Sequence, residues 1–268
     1  MTQTKTGLDS IAAMFAQAKA EKRAAFLPYF PIGYPTYADS LDAIAAMAAE
    51  GVDGFEIGIP FSDPLADGPV IQAATQIALE NGITVRKCLQ AVRELRARGV
   101  NQPMLTMGYI NPLLAYGVEN FICDAKAAGV DGLIVPDLPP EEGAQIDEFC
   151  AREGLAHVYM IAPTSNAGRI ELIGKKATGF IYVVSLTGIT GVRAELPPHL
   201  TEFINRVRQQ ITDVPLVIGF GISKPEQARR MNDLVDGFIV GSALVRAGKE
   251  GVEAVRNLSR SLRRALDS

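Results

Sequence analysis

Short apolar runs alternate with amphipathic stretches along almost the whole chain. The runs are AAFLPYF (24–30), GFEIGIP (54–60), PMLTMGY (103–109), DGLIVPD (131–137), AHVYMIAP (156–163), GFIYVVS (179–185), VPLVIGF (214–220) and DGFIVGSAL (236–244). Each has the length of a buried strand, and most are rich in β-branched or aromatic residues. Helical periodicity lies between them, near 37–50, in two stretches after the second run, and near 118–128, 141–153, 167–177, 199–211 and 225–231. A final helix runs to the C-terminus. Eight strand–helix units without a break predict an α/β fold, a (β/α)8 TIM barrel spanning 1–268 as one domain. An open doubly wound sheet is the rival arrangement. Before the first strand, Ile11, Met14, Phe15 and Ala18 share one helical face, with Asp9 or Ser10 available as a cap. This predicts an extra N-terminal helix covering one end of the barrel.

An internal echo supports the count. DGF at Asp53, DGL at Asp131, TGF at Thr178 and DGF at Asp236 open the second, fourth, sixth and eighth strands. Alternate strands of such a barrel fill the same interior layers, so a cue on every even strand fits closure. Gly51 and Gly129, in EGVDG and AGVDG, read as helix C-terminal stops.

Composition narrows the function classes. The chain has 268 residues, 48% of them hydrophobic and 21% charged, enough to fill a sizeable core. The formal net charge is −4, from 26 basic and 30 acidic residues, so no basic field marks a nucleic-acid partner. Three widely spaced cysteines without a C-x-x-C pair fit a reduced, cytoplasmic protein. No apolar run is long enough to cross a membrane, and the first residues lack a signal-peptide core. The two histidines, His157 and His199, stand in no metal-ligand spacing, so no metal is expected.

The chemistry concentrates in GFEIGIPFSDPLADGP (54–69). Glu56 lies within an apolar strand, where an unpaired charge is costly. Alternation sets it opposite to Phe55 and Ile57. If those pack against helices, Glu56 points into the barrel, and Gly54 and Gly58 on its face leave space for a ligand. The alternative is a buried Glu paired with a core Lys or Arg, but no interior strand position offers one. Desolvation then raises the Glu56 pKa, so that it both donates and accepts a proton near neutral pH. Asp63 and Asp67 sit in the Pro- and Gly-restricted loop that follows. Asp67 reads either as a fixed functional acid or as a turn or N-cap residue near Val70. Asp137, in VPDLPP, carries the same ambiguity, and so does Tyr182 on the sixth strand.

A phosphate site is readable separately. SLTGITGVR (185–193), GFGIS (219–223) and GSAL (241–244) follow the last three strands. Barrel phosphate sites commonly use these loops, where backbone N–H groups face the anion. Arg193 and Lys224 are the few cations nearby, so backbone amides are expected to bind the phosphate.

FEIGIPFSDPLADGPVIQ closely resembles the signature of the tryptophan synthase alpha chain family. PDLP (136–139), TGITG (187–191), GFGIS and GSA support the resemblance, in order and over nearly the whole chain. It implies a lyase that cleaves indole-3-glycerol phosphate to indole and glyceraldehyde 3-phosphate by a retro-aldol reaction, in tryptophan biosynthesis. Glu56 matches the general acid/base and Asp67 the second catalytic acid. Gly191, Gly221, Gly241 and Ser242 match phosphate-binding positions, and Thr190 matches a residue of the mobile loop after the sixth strand, which would close over substrate and orient Asp67. Tyr182 would lie near Glu56. Tyr29, Met107, Tyr109, Ile134 and Met160 would form the indole pocket, with Tyr29 where a Phe is usual and Met107 where a Leu is. The resemblance implies no cofactor in this chain. Its expected partner is a beta chain that carries pyridoxal phosphate and joins indole to serine, in a two-alpha, two-beta complex. Pro60, Asp63 and Asn111 would face that partner. A standalone indole-releasing lyase with the same catalytic pair is the nearest alternative.

Overall fold

The computed structural model describes residues 7–184, 198–219 and 221–267. Thr190 and Gly191, and the rest of the 185–197 stretch, lie outside the described residues. After α1 (Leu8–Ala20) come β1 (Ala25–Pro31), α2 (Tyr37–Ala49), β2 (Phe55–Gly58), α3 (Pro69–Glu80) and α4 (Val85–Ala97). Then follow β3 (Met104–Met107), α5 (Ile110–Tyr116), α6 (Val118–Ala128), β4 (Gly132–Ile134), α7 (Ala144–Glu153), β5 (Ala156–Ile161) and α8 (Ala167–Lys176). The chain continues through β6 (Ile181–Val184), α9 (Pro198–Arg208), β7 (Leu216–Gly219), α10 (Pro225–Met231), β8 (Gly237–Val240), α11 (Ser242–Gly248) and α12 (Val252–Arg264), with a 3-10 turn at Ala265–Asp267. The strands pair in parallel in chain order, and β8 returns to β1 to close the barrel. The open-sheet alternative is thereby excluded.

Two elements depart from the expectation. The connection after β3 carries an additional helix, α5, and the C-terminal helix is broken into α11 and α12 at Gly251, whose φ of 113° is a glycine conformation.

Helix α1 buries the predicted face, Ile11, Met14, Phe15 and Ala18. Its N-cap is Gly7, not Asp9 or Ser10, which fall within the first turn. The Gly7 N–H donates to Asp131 Oδ1 at 2.7 Å and the Leu8 N–H to the Gly154 carbonyl at 3.1 Å. A side-chain cap is therefore replaced by bonds to the barrel itself. The Phe15 ring meets Phe180 edge-on at 6.0 Å, and Met14 packs at Gly54, which places α1 across the N-terminal end of the barrel.

The cue that opens each even strand has a physical role. Asp53 Oδ2 accepts from the Phe26 N–H at 2.8 Å, and Asp131 Oδ2 from the Met104 N–H at 2.8 Å. Thr178 Oγ1 accepts from the His157 N–H at 2.7 Å, and Asp236 Oδ2 from the Leu216 N–H at 2.8 Å. In each case the same residue's own N–H returns to the carbonyl of its partner, at 2.8 to 3.1 Å. Every odd strand is thus clamped at its first residues by the start of the next strand. Three of the four clamps add an Arg: Arg23 on Asp53, Arg96 on Asp131 and Arg208 on Asp236.

Candidate active site

Strand register assigns the interior. Tyr29 pairs with Glu56, Glu56 with Leu105 and Gly58 with Met107. Met107 pairs with Ile134, Ile134 with Val158, Met160 with Tyr182 and Val184 with Gly219. Register partners in a parallel sheet share a face, so Tyr29, Glu56, Met107, Ile134, Met160 and Tyr182 all line the inside. Phe55 and Ile57, both fully buried, occupy the opposite face against the helices. The alternation of β2 therefore puts a carboxyl in the barrel.

Glu56 is 2% exposed, and its Oε1 has no hydrogen-bond partner among the described residues. Burial, reinforced by the charge of Asp67, pushes its pKa up to about 8. Asp67 follows in the β2–α3 connection. Burial raises it too, to about 6, against a hydrogen bond from Tyr109 that lowers it. The Tyr109 hydroxyl donates to Asp67 Oδ2 at 3.0 Å and accepts from the Ala66 N–H at 3.0 Å. Asp67 does not cap α3, whose N-cap is Gly68. Asp137 does cap a helix: its Oδ1 accepts the first amide of α5, Ile110 N–H, at 2.9 Å.

The phenols of Tyr29 and Tyr182 flank the acids. Burial raises both well above the usual tyrosine range, and the Asp67 and Glu56 charges add to it. Gly58 does not leave ligand space. A Cβ there would stand 2.5 Å from the Tyr29 hydroxyl, and one at Gly54 would stand 2.8 Å from Met14 Sδ. Gly219 likewise makes room for the Tyr182 hydroxyl, 2.3 Å from its hypothetical Cβ. The glycines on these strands admit tyrosine rings and the α1 plug, so the cavity is shaped by aromatic walls. Ile134 and Tyr109 are buried, while Met107, Met160 and Tyr182 are half-buried. Met160 also lines a cavity of about 220 Å³ with Pro136, Asp137, Leu138 and Arg169.

The described phosphate candidates converge at the same end. Gly241 is the N-cap of α11, Ser242 is its first residue, and Gly241 packs against the Tyr29 ring. Gly221, with φ of 25°, follows β7 and is exposed. Asp63 and Asn111 are exposed, as a partner surface requires, but Pro60 is buried. Pro60 lies two residues beyond the end of β2. Sequence reasoning missed Thr75, a buried polar residue of α3 beside the Tyr29 phenol, and Leu65 and Leu114, which stand 93% and 56% exposed. Among the described residues, no group of three or more His, Cys, Asp or Glu is arranged to hold a metal, and no helix is long and apolar enough to cross a membrane.

The tryptophan synthase alpha chain family model matches residues 15–266. A tryptophan synthase alpha chain from Chloroflexus aggregans is 49% identical over 238 residues, 89% of each chain. One from Synechococcus elongatus is 43% identical over 262 residues, covering 97% of this chain and 98% of the relative. Among solved structures, Mycobacterium tuberculosis tryptophan synthase aligns with a TM-score of 0.92 at 36% identity, covering 98% of this chain and 100% of that one. The Legionella pneumophila alpha chain aligns at 0.87 and 34%, covering 96% and 97%. The chain belongs to the tryptophan synthase alpha chain family, the lyases that cleave indole-3-glycerol phosphate in tryptophan biosynthesis.

Proposed function

We propose that Glu56 and Asp67 divide the proton transfers of this cleavage between them. The observation that carries the reading is the unequal environment of two neighbouring acids, one at about 8 and one at about 6. At neutral pH Glu56 holds its proton and Asp67 has largely lost it. Glu56 then protonates the indole ring carbon that bears the side chain. The resulting carboxylate takes the proton of the side-chain hydroxyl as the carbon–carbon bond breaks, which restores Glu56 for the next turnover. Asp67 stabilises the positive charge at the indole nitrogen by accepting its N–H in a hydrogen bond, and any proton it takes returns to the nitrogen as the bond breaks, so indole leaves with its N–H and Asp67 as a carboxylate. The protonated ring is the electron sink, so the chain needs no cofactor of its own. Gly221, Gly241 and Ser242 offer backbone amides to the phosphate; Gly191 shares the phosphate role, and Thr190 is given to the substrate. Tyr29, Tyr109, Ile134 and Tyr182 wall the indole.

The family pairs with a beta chain. In this chain the docking surface is the connection after β2 together with α5, in a cytoplasmic two-alpha, two-beta complex whose pyridoxal phosphate lies in the beta chain. Leu65 and Leu114 expose apolar surface there, beside Asp63 and Asn111.

The test is indole release from indole-3-glycerol phosphate by the chain alone and with a beta chain, for the native sequence and for Glu56→Gln. The variant is expected to lose turnover while still binding a phosphate-bearing substrate analogue. Normal turnover in the variant would sink the role given to Glu56. Strong activity that a beta chain leaves unchanged would point to a standalone lyase.

A further inference from the structure

Tyr109 is more than a wall of the pocket. It is the N-cap residue of α5, 3% exposed, and three residues of the preceding connection rest on it. Its ring lies 5.3 Å from that of Phe61, its hydroxyl accepts the Ala66 N–H, and it donates to Asp67 Oδ2. The other hydrogen bonds of 62–67 are local. The Leu65 N–H bonds the Asp63 carbonyl, the Asp67 N–H bonds the Pro64 carbonyl, Ser62 bonds Asp63, and Gln72 bonds the Pro64 and Asp67 carbonyls. Among the described residues, the hydrogen bonds that tie this segment to another strand's connection run through Tyr109. Tyr109 is anchored in turn, because the next amide, Ile110 N–H, is held by Asp137 from the connection after β4.

We propose that Tyr109 is the positioning residue of Asp67: its phenol fixes Oδ2 and the loop backbone together, and leaves Oδ1 directed to the indole nitrogen. This rests on the role given above to Asp67. A carboxylate on a loop would otherwise sample several rotamers, and proton transfer needs its oxygen within hydrogen-bond reach of the ring. The phenol is suited to the task, because burial and the adjacent Asp67 charge hold it in the protonated, donating form. Burial favours the neutral form of Asp67, and the titratable groups that face it come from several elements. Glu56 comes from β2, the Tyr29 and Tyr182 phenols come from β1 and β6, and Asp137 stands behind Tyr109. The Tyr109 bond opposes the effect of burial.

The experiment compares Tyr109→Phe, replacement of Tyr109 by a fluorotyrosine, and Asp67→Asn, reading kcat, KM and the pH profile of indole release. Tyr109→Phe keeps the ring and removes both bonds. Its kcat is expected to fall about ten- to a hundred-fold, the usual worth of a hydrogen bond to a charged group, with KM little changed. Its acid limb is expected to move to higher pH, because Asp67 loses the donor that favours its charged form. Fluorotyrosine, a more acidic phenol and stronger donor, should move that limb to lower pH in a protein of unchanged shape. An acid limb that stays in place in both substitutions overturns the proposal, even if Tyr109→Phe is slow, since loosened packing would slow turnover without moving it. Full activity of Asp67→Asn would instead refute the role of Asp67. An inactive Asp67→Asn beside an unaltered Tyr109→Phe would refute the positioning role alone.

Discussion

The four clamps at the N-terminal end of the barrel make the same bonds in different surroundings, and that permits a quantitative test. Asp131 is 1% exposed and accepts from three donors: the Gly7 N–H at 2.7 Å, the Met104 N–H at 2.8 Å and Arg96 Nη2 at 2.6 Å. In Asp131→Ala both backbone N–H groups lose their partner in a site that water does not reach. Each such orphan costs about 1–3 kcal/mol. Arg96 is not stranded, because it keeps bonds to the carbonyls of Gly129, Val100 and Gln102. Some cost is recovered, since burial disfavours the Asp131 charge strongly enough to leave its pKa raised despite Arg96. The net expectation is a loss of about 2–4 kcal/mol. Asp236 makes the equivalent bond to the Leu216 N–H, but its side chain is 37% exposed and that of Arg208 is 38% exposed. Water can replace this carboxylate, so Asp236→Ala should cost about 1 kcal/mol or less. Urea denaturation followed by circular dichroism measures both. Equal losses, or a loss at Asp131 below that at Asp236, would refute the argument that burial of the orphaned amides sets the cost.

Two further expectations concern the site. The kcat/KM profile should rise as pH passes about 6, where Asp67 becomes a carboxylate, and fall above about 8, where Glu56 loses its proton; the limbs belong to the pair, and a profile still flat at pH 9 would contradict the acid role of Glu56. Gly58→Ala would set a Cβ 2.5 Å from the Tyr29 hydroxyl and 3.0 Å from Pro31 Cα, for a stability cost of about 1–3 kcal/mol. Tyr29→Phe in the same chain removes the closest atom and should recover part of that loss, so strictly additive effects in the double variant would show that the contact is not the cause.

What the sequence made legible followed from local periodicity. The eight strands, the face of α1 and the inward direction of Glu56 all come from spacings of two to four residues. The even-strand cue was visible, but its purpose was not, because Asp131 bonds the start of the strand 27 residues earlier and no local pattern encodes that. Helix α5 was missed because Asn111–Pro112 at its start reads as a turn, and its cap comes from Asp137, 27 residues onward. Gly58 was misread for a similar reason. A small residue inside a barrel signals space, and only the register shows that Tyr29 fills it. The bond from Tyr109 to Asp67 spans 42 residues between two loops, whose relative height is set by barrel closure.

The buried acids of this fold separate by how completely they are satisfied. Asp131 and Glu56 are equally enclosed, at 1% and 2% exposure. Asp131 has three donors, one of them an Arg; Glu56 has an oxygen with none. An Arg beside Glu56 would have stabilised its carboxylate and lowered its pKa, and at neutral pH no proton would remain to deliver. Leaving it unpaired has a thermodynamic consequence of definite sign. A carboxyl raised from 4.5 to about 8 binds more protons in the folded than in the unfolded chain between those values. Its contribution to stability is therefore fully present at low pH and is lost as pH rises through about 8. At neutral pH the folded chain holds Glu56 neutral, and most of the stability lost between pH 4.5 and about 8 has already gone. Asp67, less enclosed and given one donor by Tyr109, stays nearer 6 and bears its charge in the resting state. Burial and a single hydrogen bond are thus sufficient to give two carboxyls of similar intrinsic acidity different protonation states, as the acid and base roles proposed for them require.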